Sequence, residues 1–321
     1  MERMHESSSP EIAVLVPCLN EQAAIARVIT DFRKALPTAV IFVYDNGSTD
    51  DTVRVAREAG AVVRSEPLKG KGNAMRRMFA DVEADVYVLV DGDDTYDAGA
   101  APALVQKLLE ESLDMVNGAR IETSQEAYRL GHRFGNVLLS SLVAWFFGAR
   151  FKDMLSGYRI MSRRFVKSFP ALATGFEIET ELTVHALQLR APVMEVPTQY
   201  RERPPASASK LRTIPDGIRI MRLIIRLIRE EKPLEFFSWV AVALALMALA
   251  LAFPVVREYL ATGLVPRLPT AILAMGLMLL SSLSLTCGLI LATVTRGRNE
   301  AKRLQYLNVP IRFSKSGSKA V

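Results

Sequence analysis

The chain has 321 residues, half of them hydrophobic, with 40 Lys and Arg against 34 Asp and Glu and a formal net charge of +6. That length suits one large domain with an appendage. Its two cysteines, Cys18 and Cys287, sit in unlike contexts and build no disulfide framework, which fits a reducing compartment. The positive charge is concentrated: residues 296–321 hold seven Lys/Arg and one Glu, a net of +6, so residues 1–295 balance to zero. Basic residues beside apolar spans point to anionic lipid head groups and away from nucleic acid.

Met1 to Glu11 has no apolar core of a signal peptide and is expected to be disordered. From Ile12 to Pro197 short β-rich runs alternate with helix-length stretches. The expected strands are Ile12–Val16, Val40–Tyr44, Ala61–Val63, Val86–Val90 and Met115–Asn117. The expected helices are Gln22–Leu36, Thr52–Ala59, Gly72–Val82 and Ala101–Glu111. This alternation predicts an α/β domain over 12–212, with a mostly parallel sheet covered by helices on both faces. Glu177, Glu179 and Glu181 open a further helix after Gly175, where the helix dipole alone favours acids, so Glu179 is either a functional residue or a helix-start acid. The Pro/Ser/Ala run Pro204 to Ser209 reads as a loop.

Polar residues gather where the strands end. Pro17-Cys18-Leu19-Asn20-Glu21 follows the first, Asp45-Asn46-Gly47-Ser48-Thr49-Asp50-Asp51 the second, and Asp91-Gly92-Asp93-Asp94 the fourth. In an open α/β sheet that edge is the ligand edge, so the three loops predict one cleft. Crowded carboxylates repel one another and lose hydration, and a hard divalent cation, Mg2+ or Mn2+, offsets that cost with oxygen ligands. No G-x-G-x-x-G or Walker A sequence follows the first strand, which excludes the usual NAD dehydrogenase and P-loop enzyme. Lys69-Gly70-Lys71-Gly72-Asn73 is glycine-rich and basic at a helix start, so it is either a phosphate contact or a plain turn. His132 and His185 form no ligand set with a cysteine and read as structural or surface residues.

The C-terminal third is different in kind. Phe236–Val256 and Ala271–Val294 carry no charge, and each is long enough to cross a bilayer. They predict a transmembrane hairpin within 233–295. The second span holds Ser281, Ser282, Ser284, Thr286, Thr293, Gly276 and Gly288, suited to close helix contact either within the hairpin or with another subunit. Before it, Arg219, Arg222, Arg226 and Arg229 share spacings with Ile218, Met221, Ile225 and Ile228. Those two stripes predict an amphipathic juxtamembrane helix over 213–232, lying in the interface. Basic residues flank both outer ends of the hairpin, while the connecting loop has only Arg257, Glu258 and Arg267. By the positive-inside rule the large N-terminal region, both termini and the basic tail 296–321 face the cytoplasm, on a cytoplasmic (inner) membrane.

Taken together, VPCLNE at 16–21, DNGSTDDT at 45–52, KGKGNA at 69–74, DGDD at 91–94, DMLSGYR at 153–159 and YRERPPASASKL at 200–211 resemble a family-2 glycosyltransferase of the GT-A fold. With the hairpin, the chain resembles the polyprenyl-phosphate glycosyltransferases, the group of dolichyl-phosphate mannose synthase and its bacterial undecaprenyl-phosphate relatives. The resemblance implies transfer of one sugar, with inversion, from a nucleotide diphosphate sugar to a polyprenyl phosphate. A UDP-sugar is favoured over GDP-mannose. It implies a nucleoside pocket of Pro17, Leu19, Glu21 and Asp45, and a metal-binding D-x-D of Asp91 and Asp93, with Asp91 also near the ribose. Thr95 departs from the Gln of several relatives. Arg120 corresponds to a donor-contacting arginine and Arg133 to an acceptor-phosphate contact. Arg203 and Lys210 correspond to a basic pair closing on the diphosphate, their spacing leaving Arg201 as the other candidate. Asp153 corresponds to the catalytic base or to an acceptor-orienting residue, and Asp94 to a spare carboxylate. A homo-oligomer, tetrameric in bacterial relatives, is compatible with the second span. A processive polysaccharide synthase would need more spans and a Q-x-x-R-W motif, absent here. A catalytically silent membrane adaptor would have no use for the retained acidic cluster, and a nucleotidyltransferase gives no reason for the hairpin.

Overall fold

A computed structural model describes residues 9–122, 153–201, 222, 225, 226 and 229–310. They fall into two compact units, residues 1–221 with 302–321, and residues 222–301.

The first unit is built on a seven-stranded sheet. Its strands are β1 (Ile12–Cys18), β2 (Val40–Asp45), β3 (Val62–Ser65), β4 (Val86–Leu89), β5 (Met115–Glu122), β6 (Arg159–Ser162) and β7 (Val193–Tyr200). They lie in the order β3-β2-β1-β4-β6-β5-β7. The helices are α1 (Ile25–Ala35), α2 (Thr52–Glu58), α3 (Lys71–Asp81), α4 (Ala101–Glu110), α5 (Arg163–Ser168) and α6 (Ile178–Leu189). The central strands β1 and β4 are apolar and almost wholly buried, as strands covered on both faces must be. Helix α1 buries Ile25, Val28, Ile29 and Phe32, the i, i+3, i+4, i+7 stripe of a helix laid on a sheet.

The five strands and four helices expected between Ile12 and Asn117 are all present, and all but β5 end within a few residues of expectation. Strand β5 runs five residues past its expected end at Asn117 because β7 pairs with it in parallel as far as Glu122↔Tyr200. Two strands, β6 and β7, lie beyond the five expected. β6 is antiparallel to both β4 and β5, the one reversal among the strands of the described residues. β7 is an edge strand, which is where Pro197 can sit without breaking a ladder. Residues 1–8 lie outside the described residues. Glu11, at the end of the expected N-terminal tail, donates its amide to Asp85 Oδ2 at 3.0 Å.

The second unit contains most of two long helices, α7 (Pro233–Thr262) and α8 (Leu268–Leu307), with mean hydropathies of 2.5 and 2.1 over their most apolar windows. Both predicted spans lie inside them. A core helix of a soluble protein would be covered, yet Trp239, Leu246, Leu249, Phe253, Leu279 and Leu283 are exposed. The pair therefore has the composition and surface of membrane-associated helices. Helix α8 continues past Val294 to Leu307, because apolarity stops there while helix-forming residues do not. Among its described contacts, Ser281 Oγ donates to the Ala241 carbonyl at 2.7 Å and Ser284 Oγ to that of Phe237 at 3.1 Å. Buried small residues recur every seventh position, at Ala274, Ser281, Gly288 and Thr295 on α8 and at Ala241 and Ala248 on α7. The small-residue face thus packs the hairpin on itself. Thr286 and Thr293 instead bond the carbonyl four residues back. Of the predicted amphipathic stretch, Arg222, Ile225, Arg226 and Arg229 are helical and exposed; the remaining residues of both stripes lie outside the described residues.

Candidate active site

Parallel register brings the three polar loops to one edge. Cys18 pairs with Asp45 across β1 and β2, and Leu15 pairs with Leu89 across β1 and β4, two residues before Asp91. Because β6 runs the other way, its start at Arg159 faces Leu89, and the segment 153–158 arrives at the same edge. β5 carries Arg120 there, beyond the last β5–β6 pair at Asn117↔Arg159. The bridge Tyr96↔Tyr200 and the bond from Arg201 N to the Thr95 carbonyl (2.8 Å) set the exit of β7 beside the acidic loop.

Within this edge the loops are tied to one another. Asn20, at φ 52°, accepts from Thr49 N at 2.7 Å, and its own amide donates to Ser48 Oγ at 2.8 Å. Glu21 is buried, with its amide donating to Thr52 Oγ1 at 2.8 Å. Pro17 is half-buried and Leu19 exposed. Asp45 accepts the amides of Gly47 and Ser48 at 3.2 Å, an Asx turn. Asn46 donates to the carbonyls of Glu66 and Leu68 and accepts from Gly70 N at 2.6 Å, joining the second loop to the glycine-rich one.

The D-x-D residues differ in their surroundings. Asp93 is buried, with Oδ1 accepting Thr95 Oγ1 at 2.6 Å. Thr95 therefore supports the acidic loop. Asp94, at φ 61°, pairs with Arg27 at 2.9 Å, which turns the spare carboxylate toward α1. Asp91 accepts Lys71 Nζ at 2.5 Å, and the same ammonium lies 2.5 Å from Glu179 Oε1. Burial opposes the charge on Lys71, but Asp91 and Glu179 outweigh it and hold the ammonium's pKa above its ordinary value. Burial raises the Glu179 pKa even against Lys71. Gly157 packs on the other side of Asp91, where a Cβ would overlap the carboxylate.

Arg120 and Asp153 form a two-pronged pair, with Nε to Oδ2 at 2.6 Å and Nη2 to Oδ1 at 2.7 Å. Burial would raise the Asp153 pKa, yet the Arg120 guanidinium holds it below the usual carboxylate range. Arg201 bonds Asp97 at 3.1 Å. Arg133, Arg203, Lys210 and His132 lie outside the described residues. His185 is buried between Phe165 and Phe169, its pKa pushed down to about 3 by burial, a structural histidine.

The structure thus brings Pro17, Leu19, Glu21, Asp45, Asp91, Asp93, Arg120 and Asp153 to one edge. It adds Glu179, open to a functional or a purely helix-dipole reading, and Lys71, open to a phosphate contact or a plain turn, and joins the two in one ion pair. Asp91 and Asp93 offer only oxygen donors, and Asp91 already takes a cationic partner, so they suit a hard divalent ion. Among the described residues no three His, Cys, Asp or Glu side chains converge as a metal cage. Such an ion would complete its shell with water and substrate oxygens, as Mg2+ commonly does.

Residues 13–168 match the model of Glycosyl transferase family 2. The chain is similar to glycosyltransferase AglJ of Haloferax volcanii, 35% identical over 250 residues, covering 77% of this chain and 82% of that protein. It is 29% identical over 230 residues to the dolichyl-phosphate hexose transferase of the same organism, covering 71% and 99%. Protein RfbJ of Shigella flexneri is 60% identical over 123 residues, 38% of this chain and 95% of RfbJ. Among solved structures it is similar to glucosyl-3-phosphoglycerate synthase from Mycobacterium tuberculosis in complex with Mn2+, UDP and phosphoglyceric acid. That match has a TM-score of 0.53 and 26% identity, over 69% of this chain and 78% of the other. Sheet order, acidic edge and relatives agree: the chain belongs to glycosyltransferase family 2 and has the GT-A fold.

Proposed function

We propose that this glycosyltransferase is membrane-bound and moves one sugar, with inversion, from a nucleotide diphosphate sugar to a polyprenyl phosphate on the cytoplasmic face. The observation that carries the reading is the placement of Asp91, Asp93 and the Arg120–Asp153 pair on one sheet edge of a chain that also has a long apolar hairpin. The relative named for dolichyl phosphate supports a lipid acceptor, and the mycobacterial structure with UDP and Mn2+ supports a UDP-sugar donor and a divalent ion.

In this reading Pro17, Leu19, Glu21 and Asp45 line the nucleoside pocket. Asp45 would accept from base or ribose in place of its own loop amides. Asp91 and Asp93 would hold Mg2+ or Mn2+, which supplies positive charge to the leaving diphosphate. Lys71, Arg120, Arg203 and Lys210 add cationic charge around that leaving group, and Arg133 meets the acceptor phosphate. The acceptor is a phosphate monoester whose second pKa is about 6, so it is largely ionised at neutral pH and needs little help from a base. Asp153, ionised and gripped by Arg120, then orients the arginine and takes no proton.

The test is transfer by the purified full chain to polyprenyl phosphate from a panel of labelled UDP- and GDP-sugars, with and without EDTA. The expected result is a metal-dependent, β-linked polyprenyl phosphate sugar from one donor, lost in Asp93→Ala. No transfer to lipid from any donor overturns the lipid acceptor, and full activity of Asp93→Ala removes that residue from the metal site.

A further inference from the structure

We propose that Lys71 and the divalent cation exchange on Asp91, with Glu179 as the post that keeps Lys71 when it leaves, so that the cation enters together with the nucleotide. The inference rests on the metal-dependent reading above and adds an order of events to it.

Four observations support it. The ammonium of Lys71 lies 2.5 Å from both Asp91 Oδ1 and Glu179 Oε1, so Asp91 is already engaged by a cation. A dication about 4 Å from an ammonium loses roughly thirtyfold in binding even in the dielectric of water, so the two cannot share Asp91 comfortably. The three side chains are graded in exposure: Asp91 26%, Lys71 11% and Glu179 4%. An ion and a diphosphate therefore reach Asp91 from solvent, while Glu179 stands behind the lysine. Glu179 Oε2 is buried without a hydrogen-bond partner. An ammonium has three donors, and this oxygen can take one as Lys71 lets go of Asp91.

The described surroundings restrain Asp91 and the Lys71 backbone more than the lysine side chain. Gly157 closes on Asp91 from the β6 side, so the carboxylate cannot retreat that way. Gly70 and Gly72, on either side of Lys71, are pressed against the carbonyls of Thr174 and Ala173, and Gly72 N donates to Thr174 O at 3.1 Å. The backbone at the start of α3 is therefore locked, and exchange becomes a rotamer change of one long, flexible side chain. Glu179 is in this sense a positioning residue, acting through Lys71.

Mn2+ binding to the full-length protein in detergent, followed by electron paramagnetic resonance with and without UDP or GDP, reads the exchange directly. Wild type should bind Mn2+ weakly alone and much more tightly with a nucleotide. Lys71→Met should bind Mn2+ alone about tenfold or more tightly than wild type. The double variant Lys71→Met/Glu179→Gln should do the same while leaving no unpaired buried carboxylate, and it serves if the single variant fails to fold. Glu179→Gln alone should weaken Mn2+ binding several-fold, since Lys71 is then left with Asp91; a merely structural glutamate would not move this number. Lys71→Arg should restore the wild-type pattern. If wild type shows nucleotide-dependent binding but both Lys71→Met variants match it without nucleotide, the exchange is wrong and the metal site stands. If wild type binds no Mn2+ with either nucleotide, both readings fall.

Discussion

Replacing Asp153 with asparagine keeps the shape of the side chain and removes its charge. In the folded protein that charge is met by Arg120 through bonds of 2.6 and 2.7 Å, with side chains 16% and 6% exposed. Removing one partner of a buried pair costs about 3–5 kcal/mol. The partial exposure of Arg120 places this pair at or just below the low end, about 2–3 kcal/mol by the same principle. The variant should therefore melt several degrees lower. An arginine displaced by about an ångström from the leaving group should cost roughly a hundredfold in kcat. The pH profile separates orientation from base catalysis. The depressed Asp153 pKa means that its share of stability is present above the unfolded value of about 4 and lost only as pH falls through the folded one. Such a carboxylate is ionised across the working range and is a weak base. The acid limb of kcat should then follow the lipid phosphate, near pH 6, in wild type and variant alike. An acid limb that vanishes in Asp153→Asn would refute the orienting role and make Asp153 the base.

The buried, neutral His185 has its folded pKa pushed down to about 3, against about 6.5 unfolded. Its stabilising effect is full above pH 6.5 and shrinks as pH falls, by up to about 1.4 kcal/mol per pH unit. His185→Phe should flatten the fall in melting temperature between pH 6.5 and 4; an unchanged slope would place the titration elsewhere. In the hairpin, Ser281→Ala should lower stability in detergent by about 0.6 kcal/mol. Thr286→Ala, which bonds only its own helix, should leave stability unchanged. Equal losses would contradict the packing seen at Ala241.

The sequence made the acidic edge legible because its signals are local. Val86 to Val90 is an unbroken apolar run, and the acids directly follow it. Asp45, Asn20 and Glu21 likewise abut strands whose parallel register then aligns them. What stayed hidden depends on distant pairing. β6 has only four residues and starts with Arg159, which is wholly buried and satisfied by the carbonyls of Ser156, Met154 and Glu179. No period reveals an arginine in a core. β7 carries a proline and is half exposed, so it lacks the apolar run of an inner strand. Lys71 and Glu179 are over a hundred positions apart, and only the fold makes them neighbours. The Arg120–Asp153 pair was visible as two candidates but not as one unit. The choice between self-packing and subunit contact for the second span needed the bond from Ser281 to Ala241.

The reversal at β6 has a consequence for how such an enzyme can change. Strand β5 runs out at the acidic edge and β6 enters the sheet from that same edge, so Glu122 and Arg159 end and begin strands on the same side of the sheet. A change of chain length between those two strands leaves the mutual pairing of β1, β2, β3 and β4 as it is. The polar loops after β1, β2 and β4 are untouched by such variation. Gly157, wedged against Asp91, marks where such freedom ends, because a side chain there would press on the carboxylate.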